Sequence, residues 1–185
     1  MIFQTDASDS RGFTLTETMV VAALMVIVGA IGVPLVSTTF HSWALYADTR
    51  NITTALVDAK IKAISQTTHY QVTFDLNNNN WTLQRYDRTG SSFVNDGSHM
   101  TLSNGEKNSG IHFQSTSSIA LSGYPTSSST FIRFNSRGIP INSSGVPTSA
   151  NVIYLADGQS NYAVTASLAG RIDLLKYVGG QWVSR

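Results

Sequence analysis

The chain has 185 residues, 42% of them hydrophobic, and 12 Lys and Arg against 11 Asp and Glu give a formal charge of +1. That length holds one domain plus an anchor, not two full domains; the near-neutral balance speaks against wholesale binding to nucleic acid or an anionic surface but leaves room for a local basic patch. With no cysteine there is neither a disulfide staple nor a thiolate metal site, and cysteine usage does not reveal the redox compartment.

The first residues, Met1 to Arg11, set Asp6 and Asp9 against Arg11. A long apolar run follows, and from Thr18 to Ala47 there is no Asp, Glu, Lys or Arg. As a helix this run is long enough to span a hydrocarbon core of ~30 Å. It is also too long for a secretory signal, whose apolar core runs ~7 to 15 residues behind a basic n-region. Arg11 marks the end expected to stay cytoplasmic. Glu17 stands just inside the run, where a carboxylate is costly and points to function. Thr14 and Glu17 also have the spacing of a capping box, with Thr capping the first turn and Glu reaching back to a free N–H.

Taken together, Arg11-Gly12-Phe13-Thr14-Leu15-Thr16-Glu17 and the apolar run behind it closely resemble the type IV prepilin family, whose pattern is a basic residue, Gly, Phe, Thr, Leu, any residue, Glu. The resemblance implies that prepilin peptidase cuts after Gly12 and discards a leader of residues 1–12. Phe13 becomes the N-methylated terminus. Glu17 pairs with the Phe13 amine of a neighbouring subunit and fixes axial register. Gly29, Gly32 and Pro34 match the family as well. Loss of the leader removes Asp6, Asp9 and Arg11, leaving 11 basic and 9 acidic residues, or +2.

Residues 13 to about 66 read as one long helix with a kink or melted segment at Gly29, Gly32 and Pro34, since proline removes a helical hydrogen bond and glycine weakens the same turn. Residues 13–40 are expected in the membrane or a helix bundle. In residues 41–68, Leu45, Ile52, Ala55, Leu56, Ala59 and Ala63 recur at helical spacing, an apolar stripe that predicts an amphipathic spine lying on a domain. Asp58 and Lys62 form an i,i+4 pair with the acid first.

From Tyr70 the period becomes two. Tyr70, Val72, Phe74 and Leu76 alternate with polar residues, the asparagines 77–80 make a turn, and Trp81 to Tyr86 returns as the second strand of a hairpin. Residues 87–110 read as a loop with one short strand near Met100 to Leu102. Ile111 to Gln114 is a strand, and 115–130 is either a surface loop or holds a further strand. Phe131 to Phe134 is a strand followed by a turn. Asn151 to Ala156 and Asn161 to Leu168 are strands about the turn Asp157-Gly158, and Arg171 to Val178 joins Gln181 to Val183 through Gly179-Gly180 as a terminal hairpin. Residues 69–185 are thus a mostly antiparallel β domain covered by the spine, and the fold class is α+β and pilin-like. Phe134 to Gly138, the two strands after it and Gly170-Arg171-Ile172 are similar to the H-type minor pseudopilins of type II secretion and to related minor pilins.

The four histidines, His41, His69, His99 and His112, stand apart, and no HExxH, G-x-S-x-G or phosphate-loop motif occurs. No catalytic residue, metal or cofactor is expected. Arg85 and Arg88, Arg133 and Arg137, and Arg171, Lys176 and Arg185 are the basic candidates for a nucleic-acid contact, with Tyr177 and Trp182 as stacking faces, as in DNA-uptake minor pilins. The reading is a non-enzymatic pilin or pseudopilin subunit. It is anchored by one span in the bacterial inner membrane with its C-terminal domain outside the cytoplasm, and its partners are prepilin peptidase and other pilins of a periplasmic or surface filament. A DNA-binding subunit for uptake is the alternative.

Overall fold

The structure, a computed structural model, describes residues 14–97, 99–103 and 110–185, with the backbone alone for 31–42. The leader, Gly12 included, and Phe13 lie outside the described residues. The chain divides after Phe40 into two units, 1–40 and 41–185.

Helix α1 (Leu15–Ser65) is 51 residues long. Its backbone is helical at Gly29, Gly32 and Pro34, where the sequence suggests a kink or a melted segment. Among the described residues no helix is long and apolar enough to cross a membrane. The described side chains of the apolar run stop at Ala30, short of the ~20 residues a span needs.

α1 closes with a Schellman turn: Thr68 N–H donates to the carbonyl of Ala63 at 3.2 Å and Thr67 N–H to that of Ile64 at 3.3 Å. The residue in the left-handed conformation is Thr67, with φ of 51°. The Arg88 guanidinium bonds the Thr67 carbonyl at 2.7 Å and helps hold the turn.

All strand pairs are antiparallel, in two sheets. The first contains β1 (Tyr70–Asp75), β2 (Asn80–Asp87), β3 (Ser92–Asn95), β4 (Met100–Thr101), β6 (Phe131–Phe134) and β7 (Pro140–Ile141), in the order β3-β2-β1-β6-β7 with β4 also on β2. The second contains β5 (His112–Gln114), β8 (Asn151–Ala156), β9 (Asn161–Ala166), β10 (Ile172–Val178) and β11 (Gln181–Ser184), in the order β11-β10-β9-β8-β5. The hairpins β1–β2, β8–β9 and β10–β11 fall where alternation and turn residues predict them. β3 and β7 fall in stretches read as loop and turn, because two to four residues are too few to show a period. Residues 115–130 hold only the isolated bridge between Thr116 and Ser127. They are fastened to the second sheet by the Tyr154 hydroxyl, which donates to Pro125 O at 2.9 Å and accepts from Leu121 N–H at 3.0 Å.

One apolar core joins these parts. All six residues of the predicted stripe are buried, with Leu45, Ile52, Leu56, Ala59 and Ala63 at 0% exposure. They meet Tyr70, Val72, Phe74, Trp81, Leu83, Ile132 and Phe134 of the first sheet and Phe113, Ile153, Leu155, Tyr162, Val164 and Leu174 of the second. Asn79, in the β1–β2 turn, bridges the sheets: its Oδ1 accepts from Phe113 N–H at 2.9 Å and its carbonyl from Leu102 N–H at 3.0 Å.

Candidate functional site

The foot of α1 is built as its sequence suggests. Thr14 Oγ1 accepts from Glu17 N–H at 3.3 Å, and Thr14 O accepts from Glu17 and Thr18 N–H at 3.1 and 3.2 Å, so Thr14 is the N-cap. Glu17, exposed in the first turn, puts a negative charge at the positive end of the helix dipole. Above it Met19, Val20, Val21 and the consecutive run Leu24 to Val28 are all exposed, Val26 at 72%. Consecutive residues on a helix point 100° apart, so this stretch is apolar on every side, the pattern of a helix that needs lipid or other helices around it.

Higher on α1 the outward face keeps some of this character. Trp43, Val57, Ile61 and Ile64 are exposed opposite the buried stripe. Beside them runs a groove between α1 and β2, lined in part by Ala55, Trp81, Leu83 and Met100 and with three charges at one end. Lys62 Nζ reaches Asp58 Oδ2 at 3.2 Å, the predicted pair, and Asp96 Oδ2 at 3.3 Å. Burial alone would lower the Lys62 pKa; the two carboxylates outweigh it and raise it. Tyr70 completes the group by donating to Asp96 at 3.0 Å.

Two charged residues of α1 that its apolar pattern does not reveal hold the domain together. Asp48 is buried and accepts from Ser103 N–H at 2.8 Å and Ser103 Oγ–H at 2.6 Å. Burial raises its pKa against the pull of those two bonds. Lys60 lays its stem over the turns at Gly138 and Gly170 and donates from Nζ to Gly170 O at 2.9 Å. Both glycines have φ of +75°, and a Cβ on Gly170 would strike the Gly138 carbonyl. The two landmarks of the second resemblance, far apart in sequence, meet at Lys60.

The basic candidates are spread over different elements, and several are engaged. Arg133, on β6, donates to Gln71 Oε1 at 2.9 Å and lies 4.3 Å and 4.9 Å from the ring centres of Phe93 and Phe131. Arg171 pairs with Asp173 at 2.9 Å, and Lys176 sits 5.4 Å from the Tyr162 ring centre. Arg137 lies in the β6–β7 turn, and Arg185 N–H donates to Leu174 O at 3.0 Å. Tyr177 and Trp182 stack edge to face on each other, 5.3 Å between centres. His99 Nδ1 shares a hydrogen with Thr82 Oγ1 at 2.9 Å and His112 Nδ1 contacts Gly110 O at 2.9 Å, while the side chain of His41 lies outside the described residues. Among the described residues no three His, Cys, Asp or Glu side chains cluster as metal ligands.

Comparison with known proteins agrees with this architecture. The family model described as type II transport protein GspH matches residues 48–170, and that of the prokaryotic N-terminal methylation motif matches 7–33. The solved structure of the type IV minor pilin FimU of Pseudomonas aeruginosa is similar at 14% identity, covering 75% of this chain and 92% of that one with a TM-score of 0.50. That of the minor pseudopilin EpsH from the type 2 secretion system of Vibrio cholerae is 16% identical over 71% of this chain and 95% of that one, with a TM-score of 0.48. No curated protein matches the chain. With an N-terminal methylation motif that implies processing by prepilin peptidase, and a spine helix packed on two antiparallel sheets, the chain belongs to the type II transport protein GspH family of minor pseudopilins and pilins.

Proposed function

We propose that the chain is a non-enzymatic filament subunit that enters the inner membrane as a precursor with a single span and its β domain outside the cytoplasm. Prepilin peptidase removes residues 1–12 by cutting after Gly12, and Phe13 becomes the N-methylated terminus. The helix of residues 13–40 then leaves the lipid for a bundle of like helices. The observation that carries this reading is the apolar surface of α1 exposed on all sides just above Glu17. Such a surface is stable in lipid, and packing against other apolar helices replaces lipid contacts without exposing it to water. Glu17 pairs in the bundle with the Phe13 amine of the next subunit, each charge offsetting the desolvation of the other.

The test separates processing from assembly. In cells with the peptidase, Gly12→Arg is expected to retain the leader, seen as a precursor about a dozen residues heavier; normal cleavage would overturn the assignment of the cut. Glu17→Ala is expected to be processed normally and to be lost from sheared or purified filaments. Full incorporation of that variant would remove the pairing role.

A further inference from the structure

Trp43, Tyr46, Tyr162 and Lys176 line a hollow of about 340 Å³ in the β domain unit, three aromatic rings and one cation. Trp43 is 73% exposed, and Tyr46, one turn on and also exposed, lies with its ring 6.3 Å from that of buried Tyr162. Tyr162 on β9 stands opposite Lys176 on β10. Lys176 in turn stands opposite Val183 on β11, so Val183 and Val178, both 46% exposed, extend the same face of the sheet. Aromatic rings, a lysine and exposed valines side by side are a poor match for water. They suit the headgroup layer of a bilayer, where tryptophan and tyrosine place ring and polar edge together and lysine meets phosphate.

The length of the chain sets the depth. Glu17 belongs at the cytoplasmic interface, because its charge is costly in hydrocarbon. Trp43 is 26 residues further on (43 − 17), so the helical chain between them rises at most about 39 Å. A bilayer is ~30 Å through its hydrocarbon and ~40–45 Å with its headgroups. A chain of this length allows Trp43 and Tyr46 to reach the far headgroup layer and no further.

We propose that, before assembly, the Trp43–Tyr46–Tyr162–Lys176 face rests on the outer headgroup layer of the membrane, with the Lys176 ammonium on the phosphates of anionic lipid. The docking holds the β domain against the membrane until the subunit is extracted. It rests on the reading of the apolar segment as an anchor.

The full chain in nanodiscs of phosphatidylethanolamine and phosphatidylglycerol tests it, read by the rate at which a water-soluble acetylating ester modifies Lys176, followed by mass spectrometry. Acetylation is expected to be about fivefold slower than in non-ionic detergent micelles, the equivalent of the ~1 kcal/mol one lysine gains at an anionic surface. Trp43→Asp changes an exposed side chain and leaves the core intact, and it is expected to abolish most of that slowing. Because the chain has no cysteine, Val26→Cys carrying an environment-sensitive dye reports the anchor separately. A blue-shifted dye with Lys176 equally reactive in discs and micelles overturns the docking and leaves the anchor standing. An unshifted dye overturns the anchor, and the docking with it.

Discussion

The two ends of α1 are both rich in apolar residues and meet opposite surroundings. From Met19 to Val28 the apolar side chains point in every direction and are exposed, whereas between Leu45 and Ala63 six of them form one stripe, buried against two sheets. The difference lies in periodicity rather than in hydrophobicity. A stripe commits a helix to one partner, its own domain, while an all-round apolar surface leaves the partner open and can serve first lipid and then neighbouring helices. Substitutions that separate the two surroundings break or sharpen this contrast.

The largest effect is expected from introducing a charge in each half. Leu56→Asp buries an unpaired carboxylate at a fully enclosed position and is expected to remove about 4 kcal/mol or more of stability, leaving the β domain largely unfolded. Leu24→Asp is expected to leave the urea midpoint of the β domain unchanged while lowering recovery of the chain in membranes. Equal loss of domain stability in both variants would contradict the division of labour.

Next is Gly170→Ala. A β-carbon there needs φ of +75° and would strike the Gly138 carbonyl beneath the stem of Lys60. A loss of about 3 kcal/mol is expected in urea unfolding. Lys60→Met keeps the stem and removes the bond to Gly170 O, so a smaller loss, about 1 kcal/mol, should separate the hydrogen bond from the close approach.

Much of this contrast is legible in the sequence. The six-residue stripe, the Asp58–Lys62 pair and the three main hairpins each carry a local period or spacing, and local periods survive whatever the rest of the chain does. The Lys60 junction carries no such mark. Gly138 and Gly170 stand out as landmarks, but that they meet each other, and meet a lysine 110 residues from one of them, depends on how two sheets are stacked. Asp48 is hidden for the same reason: a charge in a helix pattern reads as a solvated face until Ser103 is found beside it. β3 and β7 are set by the strands they pair with rather than by their own few residues.

Asp48 gives a prediction in pH. Its folded pKa is raised by burial, so in the window between the unfolded value near 3.8 and the higher folded value the native state binds more protons than the unfolded one. Stability from this group therefore falls as pH rises through that window, and the cost of its charge is fully present above the folded value. Asp48→Asn removes the titration, so the stability of the wild type relative to this variant is expected to improve on acidification from neutral pH into the window. A flat difference would show that Asp48 does not titrate there. Asp48→Ala, which strips the Ser103 N–H of its acceptor, is expected to lose about 1–3 kcal/mol.

The smallest effect lies at the end of the helix, and it should have the opposite sign. Both ends of α1 are turned by threonine. At Thr14 the hydroxyl caps the first turn, a role threonine suits. At Thr67 the backbone adopts a left-handed conformation with φ of 51°, which a β-branched residue opposes, and the Schellman turn there normally calls for glycine. Thr67→Gly keeps the carbonyl that receives Arg88 and relieves the backbone. Part of the gain is returned because glycine also loosens the unfolded chain. The net is an expected stabilisation of about 0.5–1 kcal/mol, visible as a higher urea midpoint at unchanged slope. Thr14→Gly removes a helpful hydroxyl from the foot of the helix, which belongs to the other unit of the chain, so that midpoint should not move. If both substitutions shift it alike, the two halves of α1 are coupled more tightly than their surroundings imply.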